Sequence, residues 1–274
     1  MFRIIGEKIN GTRKRVRTAI EERDRDFIGS LALRQADAGA HWIDVNAGTH
    51  PDREVEDLAW LVETVQARVD RPLCLDSPNP LALAAAVPLT RQPPLINSIS
   101  GEPTRREAIL QLVQASGASV IALAVGAGGM PVTVEDRLAV LHELVAATRA
   151  AGIADDRVYL DPLVMTIATN TASAIIVLET IRRARAAFPQ AHVSCGLSNM
   201  SFGLPARGLI NRTFLGLAVA AGLDTAITDP LDRELMAALL STQLLLGRDR
   251  HCLAYTRAYR SGLLDGGSTS GALA

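Results

Sequence analysis

Short apolar runs alternate with helix-periodic stretches along the whole chain, and nearly every apolar run stops at an Asp, Asn or Gly. The runs are Phe2–Ile5, Trp42–Val45, Leu73–Leu75, Leu95–Ile96, Ser119–Val125, Val158–Leu160, Val193–Leu197 and Thr225–Ile227. Short, nearly uniform apolar runs suit parallel strands buried on both faces. Between them lie stretches of helical period over Val16–Ala38, Arg53–Val69, Pro80–Val87, Thr104–Ser116, the segment from Thr133 to Ala151, Thr171–Phe188, Ile210–Ala221 and Leu231–Leu246. Gly39, Gly117, Gly152 and Gly222 stand just past helix ends, where a left-handed residue closes the last turn. Eight βα units in about 250 residues predict an α/β protein of the TIM (β/α)8 barrel type. A doubly wound open sheet is the alternative, but it would carry GxGxxG after its first strand, and IIGEKINGTR is not such a turn.

No linker or internal repeat divides the 274 residues, so residues 1–260 are expected to form a single domain. The Gly-, Ser- and Ala-rich stretch 261–274 is expected to be a disordered tail. Formal net charge is −1 with both signs interspersed, which leaves no basic patch for nucleic acid. No apolar run approaches the roughly 18 residues of a membrane span, and MFRIIGEKIN enters a strand without a signal-peptide core. Cys74, Cys195 and Cys252 are odd in number and scattered, which reads as reduced thiols in a cytoplasmic protein.

In such a barrel the strand C-termini share one face, where active sites form. Here they bring Glu7 and Asn10, Asp44 and Asn46, Asp76, Asn97, a Gly126–Gly129 turn, Asp161, Ser198 and Asn199, and Asp229 to one rim. That rim holds no histidine. His41, His50, His142, His192 and His251 fall at strand starts, on helices or in loops, which argues against a Ser-His-Asp set or a three-histidine zinc site. Carboxylates accept paired hydrogen bonds, and amides donate and accept. A heterocycle with a ring N–H beside an exocyclic amine, as in a pterin, matches them. So do 2-aminopurines, some sugars and a hard metal ion. A single Asp or Asn at a strand end is more often a cap or turn residue. Asp76, Asn97, Asp161 and Asn199 together read as binding residues, because clustered buried carboxylates are costly unless something pairs with them. Asp44 and Asn46 fit either role, Glu7 and Asn10 read as braces of the rim, and Asp229 before Pro230 reads as structural. Arg207 is either loop surface charge or an anchor for an anionic tail, Ser198 fits a backbone contact, and Cys195 fits the core.

The motifs IIGEKIN at 4–10, DVNAG at 44–48, LCLDS at 73–77, INS at 96–98, LDPL at 160–163 and GLSNMSFGLPARGLINRTFL at 196–215 carry a resemblance. In this order at strand ends they are similar to the pterin-binding methyltransferases, in particular methyltetrahydrofolate:corrinoid protein methyltransferases and the folate module of cobalamin-dependent methionine synthase. The resemblance covers roughly residues 2–255. It implies a pterin-binding TIM barrel, usually a homodimer, that moves the N5-methyl group between methyltetrahydrofolate and cob(I)alamin on a separate corrinoid protein. By motif, Asp76, Asn97 and Asp161 would hold the pterin, Gly196 and Ser198 would line the pocket, Asn199 would hydrogen-bond near N5 as the catalytic residue, and Arg207 would reach the folate beyond the ring. Glu7, Asn10, Asp44 and Asn46 would stand behind them. No cobalamin-binding DxHxxG is present, so the corrinoid is expected on a partner. The chain departs from the family pattern at the apolar Phe202 and at Ala124-Val125-Gly126, which leaves the fifth strand end without an amide or hydroxyl. Dihydropteroate synthase shares the resemblance but has a lysine after strand seven, and here the only lysines are Lys8 and Lys14. A non-catalytic pterin-binding subunit of a corrinoid complex would leave a similar sequence. A metal-dependent barrel hydrolase would carry histidines at the strand ends, so no metal site is expected.

Overall fold

The computed structural model describes residues 2–264. Its strands are β1 (Arg3–Asn10), β2 (Trp42–Asn46), β3 (Leu73–Asp76), β4 (Leu95–Ile99), β5 (Ser119–Leu123), β6 (Val158–Asp161), β7 (His192–Val193) and β8 (Thr225–Thr228). The helices are α1 (Lys14–Glu21), α2 (Arg25–Asp37), α3 (Pro51–Gln66), α4 (Pro80–Ala86), α5 (Pro103–Ser116), α6 (Val134–Ala150), α7 (Ser173–Ala187), α8 (Arg207–Ala221), α9 (Arg233–Leu245) and α10 (Leu253–Arg260). All strand pairs are parallel, in the order β7-β6-β5-β4-β3-β2-β1-β8. The ends of this sheet meet. Asp224 N donates to Val193 O at 3.2 Å, Ile227 N donates to Cys195 O at 2.9 Å, and Gly196 bridges Ile227 in parallel. The TIM barrel expected from the sequence is therefore closed.

Strand alternation sorts the core into two shells. In β3, Leu73 and Leu75 pack outward against helices, while Cys74 joins Ile5, Leu95, Ile121 and Tyr159 inside the barrel. The same alternation makes Asp76 the next inward position after Cys74, at the barrel mouth. A polar plug closes the opposite end. There Arg3 hydrogen-bonds His192 and, at 3.2 Å, the Tyr159 hydroxyl, while Asp224 contacts His192 Nδ1 at 2.9 Å and accepts from Arg185 at 2.7 Å. Among the described residues no helix is long and apolar enough to cross a membrane.

Several segments differ from the periodicity reading: β1 runs on to Asn10, five residues beyond the expected Phe2–Ile5. The single helix expected over Val16–Ala38 is broken, because Arg23 takes φ 55° and Asp24 caps a new helix by accepting from Phe27 N at 2.9 Å. The seventh strand, expected over Val193–Leu197, pairs regularly only at His192–Val193, and Leu197–Ser201 is a 3-10 turn. The apolar residues there fill the core without extending the sheet: Cys195 and Leu197 are fully buried. Finally, α10 is an added helix beyond the last βα unit. Residues 261–264 form a turn behind it, and the remainder of the tail expected to be disordered, 265–274, lies outside the described residues.

Candidate active site

At the mouth, β2, β3 and β4 set an amide–carboxylate–amide row. Asp76 is in register with Asn97, and Asn46 Nδ2 donates to Asp76 Oδ2 at 2.8 Å. Asp44 lies one layer deeper beside Cys74, 2 % exposed, and its Oδ1 has no partner among the described residues. Burial, then the neighbouring Asp76 charge, push the Asp44 carboxyl well above the usual range. Burial also raises Asp76, against the Asn46 hydrogen bond and the Arg105 charge that pull it down. Two neighbouring carboxyls disfavour double ionisation, and the deeper Asp44, which Asp76 pushes further up, resists its charge more.

Across the barrel, Asp161 ends β6 at 7 % exposure. Its Oδ1 accepts from Leu163 N at 2.8 Å, and the Gly196 backbone also donates to the carboxylate. Burial lifts its pKa to about 6, with those two donors and the Arg137 charge opposing the rise. Leu163 pays a backbone strain to reach it, at φ 62°. Arg137, from α6, clamps this turn by donating to Pro162 O at 3.0 Å and Leu163 O at 2.8 Å.

The third wall is the 3-10 turn Leu197–Ser201. Asn199 is exposed at the mouth. A Cβ on Gly196 would stand 3.0 Å from Asn199 Nδ2, so the glycine is what admits the amide there. Ser198 Oγ lies within hydrogen-bonding reach of both Glu7 oxygens, at 3.0 and 3.2 Å, which ties the turn to β1. Burial raises Glu7, and the Ser198 hydrogen bond and Arg13 lower it. Arg207 donates to Ser198 O at 2.7 Å and to Ser201 Oγ at 3.1 Å, and lies 5.8 Å from the centre of the Phe202 ring.

The rim residues read from the sequence thus come together, with two exceptions that point elsewhere. Asn10 accepts from Thr12 in a local turn. Asp229 pairs with Lys8 Nζ at 2.6 Å and caps Leu231 N at 3.0 Å, as its structural reading requires. Cys195 is buried in the core as expected. The sequence does not distinguish Arg105 and Arg137: each is one charge among many on a helix, and only the fold shows them turned inward. Among the described residues no group of three or more His, Cys, Asp or Glu is placed to hold a metal ion.

A family model described as pterin binding enzyme matches residues 6–229. The chain is 41% identical over 261 residues to a methylcorrinoid:tetrahydrofolate methyltransferase of Eubacterium limosum, covering 94% of this chain and 96% of that one. It is 30% identical over 237 residues to methionine synthase of Mycobacterium leprae, matching 82% of this chain but only 20% of that much longer protein. Among solved structures, dihydropteroate synthase from Xanthomonas albilineans in complex with 7,8-dihydropteroate superposes with a TM-score of 0.69 at 21% identity, covering 89% of this chain and 92% of that one. The enzyme from Vibrio fischeri superposes with a TM-score of 0.70 at 17% identity, covering 90% and 94%. At these identities the structural likeness concerns the barrel alone.

Proposed function

Because the chain belongs to the pterin-binding enzyme family, we propose that it is a methyltransferase acting between N5 of tetrahydrofolate and the cobalt of a corrinoid. The corrinoid is carried by a separate protein. The observation that carries this reading is the 41% identity over nearly the full length of a methylcorrinoid:tetrahydrofolate methyltransferase, and a barrel end that carries carboxylates and amides is in keeping with it. Asp76, Asn97 and Asp161 hold the pterin, whose N–H and amino edge matches an ionised carboxylate, with Gly196 and Ser198 lining the pocket. Glu7, through Ser198, and Asn46, through Asp76, hold these groups in place.

The corrinoid would supply the chemistry of the methyl group, with the Co–C electron pair left on it when methyl leaves and drawn from it when methyl returns. The protein's task is at N5. As the N5 lone pair takes a methyl, positive charge grows on nitrogen, and a proton must leave to water. In reverse, N5 departs only when that proton is restored. An amide serves both directions, accepting from N5–H with Oδ1 or donating to neutral N5 with Nδ2. Asn199, exposed beside Gly196, is the catalytic residue in this role. Arg207 already holds the Ser198 carbonyl and the Ser201 hydroxyl, so it steadies the turn bearing Asn199. Its remaining N–H groups are the chain's contact for the folate tail.

The reading extends to a homodimer located in the cytoplasm, in keeping with free cysteines at 74, 195 and 252. Isothermal titration with 5-methyltetrahydrofolate tests the pocket: wild type binds, and Asp161→Ala and Asp76→Ala lose most of the affinity. Unchanged binding in both variants overturns the assignment.

A further inference from the structure

Two arginines lie behind the mouth without touching the carboxylates they serve. Arg137 is 2 % exposed, and its Nε has no partner among the described residues. Its bonds go to Pro162 O and Leu163 O. Arg105, from the first turn of α5, repeats the arrangement on the other side. Its Nη2 donates to Ser77 O at 3.1 Å and Ser98 O at 3.2 Å, and its Nε is likewise buried without a partner. Each guanidinium therefore holds the backbone just past a pterin-facing strand end. Among the described residues neither forms an ion pair or hydrogen bond with Asp76 or Asp161.

A cation as buried as Arg137 without a contacting anion is costly, Arg105 is half-buried, and carbonyl hydrogen bonds alone could be supplied by a neutral side chain. The charge has a use. Burial pulls the Arg137 guanidinium down and Asp161 pulls it back up; the same opposition holds for Arg105, with Asp76 first among the charges that raise it. A direct Arg–carboxylate fork would hold Asp76 or Asp161 ionised but would fill its oxygens. A charge one layer behind, spaced by a carbonyl, favours the anionic carboxylate without itself taking up an oxygen.

Resting on the pterin reading above, we propose that Arg105 and Arg137 are positioning residues, one behind each pterin-facing carboxylate. Each fixes the strand-end turn and supplies the positive charge that lets an open carboxylate receive the ligand.

Asp161 is the cleaner case. The groups acting on it are Arg137 from α6, the N–H groups of Leu163 and Gly196, and Cys195, whose thiol its charge pushes up. Asp76 is acted on by Arg105 from α5, Asn46 and Asp44 from β2, Glu54 from α3, and Cys74 on its own strand.

The test is the Kd for 5-methyltetrahydrofolate from pH 5 to 8 in wild type, Arg137→Met, Arg137→Lys and Arg105→Met. Titration of the ligand itself is common to all four and cancels. Wild-type binding is expected to weaken on an acid limb near the Asp161 value of about 6. Losing the charge raises the carboxylate's proton affinity, so in Arg137→Met the limb moves up by about one pH unit. Arg137→Lys restores the limb while binding more weakly, since one ammonium cannot hold two carbonyls in a fork. An unmoved limb in Arg137→Met, whatever its affinity, overturns the proposal. If Arg137→Met does not unfold cooperatively, Arg137→Gln, neutral but still able to donate to a carbonyl, takes its place: a raised limb supports the proposal and an unmoved one overturns it, while Arg105→Met, behind Asp76, leaves the Asp161 limb in place. Failure of the wild type to bind at any pH overturns the pterin reading itself, and this inference with it.

Discussion

Replacing Asp161 with Asn should make the protein more stable at alkaline pH while removing its ability to hold the pterin. The folded-state pKa of about 6 lies above the ordinary value of 3.8. The protonated carboxyl is thus favoured by folding: its contribution is fully present below about 3.8 and lost as pH rises through about 6. That gap corresponds to about 3 kcal/mol carried by the ionised wild type at pH 8. Asn keeps an acceptor for Leu163 N but leaves the Gly196 N–H without its anionic partner, which costs about 1–2 kcal/mol. The net expectation is a variant more stable by about 1–2 kcal/mol at pH 8. At pH 5 the wild type has regained roughly half of its loss, so the advantage should nearly vanish. Urea unfolding of both proteins, followed by far-ultraviolet circular dichroism at the two pH values, measures this. The pH-dependence is the diagnostic part. A difference of the same size at pH 8 and pH 5, of either sign, would show that Asp161 is not held in an environment that resists its charge.

Gly196→Ala puts a methyl 3.0 Å from Asn199 Nδ2, so the methyl-transfer kcat should fall at least about tenfold with little change in thermal stability; stopped-flow and melting measurements separate the two. Arg207→Met frees the Ser198 carbonyl and the Ser201 hydroxyl, and should raise KM for the folate and lower kcat together. A change in KM alone would assign Arg207 to the tail and not to the turn. Glu7→Gln weakens the tie to Ser198 and should lower kcat by less than Asn199→Ala does, as a brace and not a reacting group; steady-state kinetics of the two variants side by side check the order.

The barrel was legible because burial on both faces forces each strand to be short and apolar, and because polar residues gather where most strands emerge. Asp76, Asn97 and Asp161 are such punctuation, and the structure puts them at the mouth. The strand–turn boundary at the Asn199 wall was harder. Cys195 and Leu197 are apolar because they are buried, and burial looks the same in sequence whether the backbone is a strand or a 3-10 turn. The break between α1 and α2 rests on one left-handed residue, Arg23, with no glycine to announce it, although Asp24 is a legible cap. Asp44 could be placed on the right strand but not at the right depth, since only the barrel's layering separates it from Asp76. Arg105 and Arg137 were beyond periodicity altogether, because an inward arginine on a helix has the same spelling as a solvated one.

The central claim is most directly tested by anaerobic methyl transfer with the corrinoid in both oxidation and methylation states. Purified protein is mixed either with 5-methyltetrahydrofolate and free cob(I)alamin, or with methylcobalamin and tetrahydrofolate, and the cobalt absorbance is followed. The account predicts protein-dependent exchange in at least one direction. It should fall by about a hundredfold in Asn199→Ala, with 5-methyltetrahydrofolate binding largely retained. Turnover at the wild-type rate in Asn199→Ala would contradict the role given to the amide. No exchange in either direction, with a corrinoid protein supplied in place of the free cofactor, would contradict the activity.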